Sequence, residues 1–246
     1  MELSLHSLVL HTPQGQPLLR DVDLTLGPGE LLVVAGPSGS GKSSLLAAVA
    51  GLRTLAAGEL RIDGTPLDPT RPAVRRAFWP RLSWIGQSPG ASLPPRWPLL
   101  RSVADPLRVR GMVAHEAEEQ ARGALATLGL QGLERRRPHE VSGGQAQRAC
   151  IARALAQQAE LLLCDEPSSA LDETLASELA ATLRAVAANR GVAALIASHD
   201  AGFVAALGAP VRAIDGGRLL AAGSADAWRE RQQQVWRALT RTTEQA

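Results

Sequence analysis

Eight consecutive residues, Gly36-Pro37-Ser38-Gly39-Ser40-Gly41-Lys42-Ser43, combine three glycines, three hydroxyls and one lysine. Glycine lets a backbone curl until successive N–H groups point inward at anionic oxygens. The spacing fits the P-loop completely, and Ser44 continues the cradle into the first turn of a following helix. Lys42 is the only lysine in the chain; every other member of the 26 Lys and Arg residues is arginine. A compact ammonium on a flexible stem suits a tight phosphate cradle where a wide guanidinium does not. Lys42 is therefore expected to reach the β- and γ-phosphates of a nucleotide, and the Ser43 hydroxyl to ligate Mg²⁺. A second group of reactive types lies far along the chain, where Leu161-Leu162-Leu163-Cys164 ends in Asp165-Glu166. Two adjacent carboxylates are too costly to bury deeply, which places them at an exposed strand end. There Asp165 is expected to hold Mg²⁺ and Glu166 to act as general base on an attacking water. A kinase, a GTPase or a helicase could carry both groups, so they do not by themselves name a function.

The elements that must position these residues are legible from hydrophobic periodicity. Leu31–Ala35 is a short, wholly apolar run, as expected for a strand covered on both faces, and the helical stretch 42–50 follows the loop. Leu3 to Leu10 and Val22 to Leu26 read as strands joined by a turn at Pro13-Gln14-Gly15. Runs 161–164 and 192–197 read as further strands, with helices expected over 114–128 and 144–157. This alternation predicts a mostly parallel sheet with helices packed on it. Around 88–110 the composition shifts to proline and arginine. One α/β domain over 1–246 is expected, its nucleotide-binding core formed by about 1–87 and 156–246, interrupted by a helical lobe over about 88–155. Trp228 and Trp236 are expected on one face of a closing helix.

Composition narrows the classes. A formal charge of +2 does not call for nucleic acid as a partner, and a hydrophobic share of 45% is ordinary for a folded domain. Cys150 and Cys164 lie in apolar runs at no metal-ligand spacing, so both read as small core hydrophobes. No run reaches the ~18 apolar residues of a membrane span, and the start of the chain lacks a basic-then-apolar leader. A soluble, cytoplasmic chain is expected, with any membrane role carried by a partner.

The deciding segment is Val141-Ser142-Gly143-Gly144-Gln145, 23 residues ahead of the acidic pair. It resembles the signature of the ATP-binding cassette (ABC) ATPases, Leu-Ser-Gly-Gly-Gln at the start of a helix, departing only at Val141. The resemblance covers nearly the whole chain apart from about its last thirty residues. It implies a P-loop NTPase (RecA-like) core with an N-terminal antiparallel β subdomain and an inserted helical subdomain. It also implies ATP and Mg²⁺ as ligands, and a second ABC ATPase subunit, identical or different, whose signature residues cap the γ-phosphate. Other positions carry over one at a time. Gln87 matches the glutamine that senses metal and attacking water and links core to lobe. Asp172, in Ser168-Ser169-Ala170-Leu171-Asp172, matches the segment crossing the dimer interface. His199 matches the histidine that contacts the γ-phosphate. The family stacks adenine on an early aromatic residue, often tyrosine. This chain has no tyrosine, and His11 occupies the matching place.

Two finer resemblances point to a subgroup. The stretch Gln87-Ser88-Pro89-Gly90-Ala91-Ser92-Leu93-Pro94-Pro95-Arg96 and the stretch Arg137-Pro138-His139-Glu140 are similar to importers of the dipeptide, oligopeptide and nickel group. The chain's short length leans toward the nickel or metal-chelate members. That resemblance implies two membrane permease subunits, an extracytoplasmic solute-binding protein acting indirectly, and a peripheral place on the cytoplasmic face of the inner membrane. The alternative is an ATPase accessory of a soluble complex, of the carbon–phosphorus lyase or iron–sulfur assembly type.

Overall fold

The computed structural model describes residues 1–68, 71–86, 92–169 and 171–223, with side chains through residue 220. Gln87, Trp228 and Trp236 lie outside the described residues. The chain begins with two long strands, β1 (Leu3–His11) and β2 (Pro17–Leu26), paired antiparallel. β3 (Leu31–Ala35) leads through the glycine loop into α1 (Lys42–Val49). Next come β4 (Ala57–Ile62), β5 (Thr65–Pro66), α2 (Pro72–Phe78) and β6 (Leu82–Ile85). Three helices follow: α3 (Leu99–Val109), α4 (Ala114–Thr127) and α5 (Gly143–Ala156). β7 (Leu161–Asp165), α6 (Glu173–Arg190), β8 (Ala193–Ala197), α7 (Ala201–Leu207), β9 (Val211–Asp215) and β10 (Arg218–Gly223) complete the described part.

The strands form two sheets. A four-stranded antiparallel sheet has the order β2-β1-β4-β5, and a six-stranded sheet the order β10-β9-β3-β8-β7-β6. The latter is parallel from β9 to β6, with β10 added antiparallel at one edge. Its central strands explain their own lack of alternation. In β7, Leu162 and Cys164 enter one apolar core while Leu161 and Leu163 enter the other, and β8 divides Ala194 and Ile196 from Ala193 and Leu195 in the same way. Successive side chains point to opposite faces, and here both faces are covered. One core contains residues of α3 to α7; the other contains residues of α1 and the four-stranded sheet. The expected α/β architecture is the one observed.

The segment rich in proline holds a helix that composition alone hides. α3 starts after Pro98, whose fixed φ suits a helix entry, and it continues through Pro106. Leu99, Val103, Ala104 and Leu107 are buried along one stripe, and that packing holds the helix despite the missing N–H at Pro106. Both cysteines are buried thiols, and burial pushes them up, to about 11 for Cys150 and about 12 for Cys164. Both are therefore protonated and unreactive at neutral pH.

Candidate functional site

The carboxyl ends of β3, β8 and β7 lie side by side because β8 is inserted between the other two. Open α/β sheets bind ligands at that edge. Three loops converge there, and their first residues are those singled out by type and spacing. After β3, the loop from Gly36 turns into α1. Gly36 adopts φ 154°, and a Cβ on it would lie 2.8 Å from Ser40 Oγ and 3.1 Å from the Ile214 carbonyl, so a side chain is excluded. Ser40 Oγ is itself buried and, among the described residues, has no hydrogen-bond partner. A buried orphan hydroxyl is destabilising unless something arrives to bond it, and this one sits in a loop built to meet phosphate oxygens.

Lys42 is buried, and its ammonium turns back on its own loop. It donates to the Gly36 carbonyl at 2.8 Å and the Pro37 carbonyl at 3.1 Å, and lies 3.4 Å from Glu166 Oε1. Ser43 Oγ donates to Asp165 Oδ1 at 2.8 Å, joining the first turn of α1 to the end of β7. Burial raises the Asp165 carboxyl above its ordinary range, a shift that the Ser43 hydroxyl and Lys42 only partly offset. A buried carboxylate beside a hydroxyl is an oxygen-donor pair suited to a hard divalent cation. Among the described residues no three His, Cys, Asp or Glu side chains cluster to hold a metal on their own. The pair fits Mg²⁺, which Ser43 and Asp165 would hold from the protein side.

Glu166 follows directly and is held in the left-handed region, with φ 51°. A residue with a long side chain adopts that conformation at an expense of about 1–2 kcal/mol, and such strain concentrates at functional sites. Here it is over-determined. Glu166 N–H donates to the Ala197 carbonyl at 2.9 Å, and Oε2 accepts from the His199 N–H at 3.2 Å. Oε1 lies 2.9 Å from His199 Nδ1. The strained turn aims one carboxylate between Lys42 and His199. The side chain of His199 is 55% exposed.

The remaining site residues form a second group. Ser142 caps α5 in a reciprocal box, in which Gln145 N–H donates to Ser142 Oγ at 3.2 Å and Ser142 N–H to Gln145 Oε1 at 3.0 Å. Gly144 packs tightly, since a Cβ there would lie 3.0 Å from Leu175 Cδ2 of α6. Asp172 caps α6 by accepting from Leu175 N–H at 2.8 Å. Ser142, Gly143 and Asp172 are exposed, and among the described residues no hydrogen bond joins Ser142–Gln145 or Asp172 to the phosphate loop. One chain thus presents a phosphate cradle and, separately, two capped helix starts able to meet an anion or a neighbouring chain.

His11 ends β1 in an exposed position. Its carbonyl accepts from Arg53 Nη2, while Arg53 Nη1 donates to Ser44 Oγ at 2.7 Å. Sequence reasoning missed Arg53, because its partners lie 9 and 42 residues away and belong to no local motif. It also missed the buried Ser168 hydroxyl, which donates to Asp200 Oδ2 at 3.1 Å while Asp200 caps α7.

Comparison with known proteins agrees with this geometry. A family model described as ABC transporter matches residues 19–169. The chain is 37% identical over 208 residues to the glutamine transport ATP-binding protein GlnQ of Escherichia coli, spanning 84% of this chain and 85% of that one. It is 36% identical over 221 residues to the nickel import ATP-binding protein NikO of Rhodobacter capsulatus, spanning 86% and 85%. Among solved structures it resembles the ATP-binding cassette MJ0796, a dimer in a post-hydrolysis state with ADP and phosphate. That likeness has a TM-score of 0.76 and 25% identity over 88% of this chain and 96% of that one.

Proposed function

This chain belongs to the ABC transporter family and is an ATPase, and from that premise we propose that it energises import through membrane permeases. The observation that carries the catalytic part is the convergence of Lys42, Ser43, Asp165, Glu166 and His199 at one sheet edge. Loop N–H groups and the start of α1 receive the phosphates of ATP, and Lys42 exchanges its carbonyl partners for phosphate oxygens. Ser43 and Asp165 would hold Mg²⁺, which when bound would neutralise phosphate charge, and Gln87 would serve to sense the same ion and the water. Glu166 takes the proton of the attacking water on its carboxylate, and His199 orients it and contacts the γ-phosphate. Ser142, Gly143, Gly144 and Gln145, with Asp172, serve the nucleotide of a second ATPase subunit.

The layout of about 1–87 with 156–246 as core and 88–155 as helical lobe fits this use, the lobe docking on cytoplasmic permease loops from the inner face of the membrane. Among the described residues no helix is long and apolar enough to cross a membrane. Within the importers we favour the peptide, nickel or metal-chelate group, with a solute-binding protein outside the membrane. The segments 87–96 and 137–140 support that choice. The test is to isolate the tagged chain from gently solubilised native membranes and identify its companions by mass spectrometry. Two multi-span permeases are expected. Recovery only with soluble proteins sinks the transport reading and leaves the ATPase intact. Cargo follows from uptake of labelled nickel, nickel chelates and dipeptides in cells lacking the gene, where unchanged uptake of all three removes the subgroup assignment.

A further inference from the structure

Arg53 belongs to none of the motifs, yet it joins two residues that belong to the nucleotide site. After α1 the chain doubles back. Leu52 N–H donates to the Ala47 carbonyl at 2.8 Å, and Ala56 N–H donates to the Val9 carbonyl at 2.9 Å, just before β4 pairs with β1. This return path lays the half-buried Arg53 side chain between the first turn of α1 and the last residue of β1. Its two guanidinium ends separate the contacts, one on Ser44 Oγ and one on the His11 carbonyl. The turn beyond His11 is held by Thr12 N–H to the Gln16 carbonyl and Gly15 N–H to the Thr12 carbonyl, bonds internal to the β1–β2 hairpin. They fix the shape of the hairpin end but not its distance from the phosphate loop.

We propose that Arg53 is a specificity-determining positioning residue that sets the distance between the base-facing end of β1 and the phosphate cradle. The planar fork is suited to this, because it is pre-organised to donate in two directions at once. The span matters because an imidazole offers less stacking surface than a phenol, so a His11 shelf must be held in place to be useful. The proposal rests on reading His11 as the adenine-facing residue.

A pair of ligands separates base from phosphate recognition: MgATP, and magnesium tripolyphosphate, which has the three phosphates and no base. Binding of each is measured by calorimetry to the wild type, Arg53→Ala and His11→Ala. Arg53→Ala is expected to weaken MgATP about tenfold, the effect of losing a charged hydrogen-bond bridge, while tripolyphosphate changes by less than about twofold. Undisturbed tripolyphosphate binding also shows that the fold and the loop are intact. Equal weakening of both ligands, or of neither, overturns the proposal. If His11→Ala weakens MgATP selectively and Arg53→Ala does not, Arg53 alone is misassigned. If His11→Ala spares MgATP, the adenine reading of His11 falls and the route through it falls too.

Discussion

Replacing Glu166 by glutamine changes almost nothing in shape and removes one chemical capacity. The amide keeps an oxygen to accept from the His199 N–H, now at 3.2 Å from Oε2, and it tolerates φ 51° about as well as glutamate does. What it cannot do is take a proton. A positioned general base contributes about 10²–10⁴-fold, or about 3–5 kcal/mol of barrier, so kcat for ATP hydrolysis should fall by that factor. Binding should move the other way. Lys42 lies 3.4 Å from Glu166 Oε1, so a phosphate oxygen taking the same ammonium arrives near a carboxylate. Two unit charges ~6 Å apart at an effective dielectric of ~20 repel by about 3 kcal/mol. With roughly half of that offset by the ammonium between them, the neutral amide should tighten MgATP about tenfold. The assay is steady-state hydrolysis with magnesium, paired with equilibrium ATP binding and gel filtration with and without ATP. An ATP-bound dimer that barely turns over is expected. A kcat within tenfold of the wild type would refute the base assignment. Loss of ATP binding along with turnover would refute it differently, by making Glu166 a structural residue.

Three further outcomes are expected. Gly58 sits where β4 pairs with an irregular stretch of β1, with φ 85°, and a Cβ would lie 2.3 Å from the Ser7 carbonyl; Gly58→Ala should lose about 3 kcal/mol or more in urea unfolding, and a loss below 1 kcal/mol contradicts the geometry. Ser142→Ala should lower stability by only about 1 kcal/mol, the worth of a helix cap, while turnover collapses; mixing it with Lys42→Ala should restore hydrolysis above either variant alone if each site is built from two copies, and silence of the mixture counts against that. Arg81 bridges Glu160 at 2.6 Å and Asp63 at 2.9 Å. The Arg81 guanidinium holds the Glu160 carboxyl below its ordinary range, and the Glu2 N–H followed by Arg81 does so for Asp63. Depressed carboxyl values mean stability that is complete above about pH 5 and drains away as pH falls through the folded values. Both carboxylates are 40–51% exposed, so screening limits the contribution to about 1 kcal/mol. Unfolding midpoints of the wild type and Arg81→Ala should differ at pH 7 and draw together as pH falls below about 4, and a constant gap removes the ionic explanation.

How much of this was legible in the sequence follows from the range of the forces involved. β3, the loop and α1 are readable because a phosphate cradle is built from contiguous backbone, and its demands fall on adjacent residues. Asp165 and Glu166 are readable as a strand end because continuous apolarity announces the strand, but the expected exposure is not found. Both are buried, Asp165 still within β7, and Ser43, Lys42 and His199 supply the partners that make that burial tolerable. α3 was obscured, since Pro106 and the surrounding arginines speak against a helix that tertiary packing nevertheless maintains. β4 and the bulged pairing at Ser7 depend on contacts some fifty residues apart, and nothing local in Gly58 distinguishes a crowded glycine from an idle one. Arg53 stayed hidden for the same reason.

The same division explains why the engine is easier to read than the machine. Every group expected to touch ATP answers to fixed chemistry: three phosphates, one divalent ion, one water. That chemistry forces an ammonium, a hydroxyl and two carboxylates into narrow geometry, whichever cargo moves. The cargo places no such demand on these residues. In the proposed importer it would reach them only through the surfaces that meet permeases, and those need be complementary to one partner rather than to a universal ligand. The separation within the molecule shows this directly. Lys42 and Glu166 are buried and over-bonded, whereas Ser142, Gly143 and Asp172 are exposed ends of capped helices, with capacity left over for a second chain. On the proposed two-chain reading, nucleotide arrival is felt at an interface, because a second chain's exposed half closing over the cradle completes the site. Transmission then depends on how rigidly each half is built, and the tight contact of Gly144 on Leu175 couples the start of α5 to α6. Enlarging Gly144 to valine overpacks that contact and should uncouple the two, lowering ATP-dependent dimerisation while leaving tripolyphosphate binding by the isolated chain unchanged. Dimerisation that survives the substitution would place the coupling elsewhere.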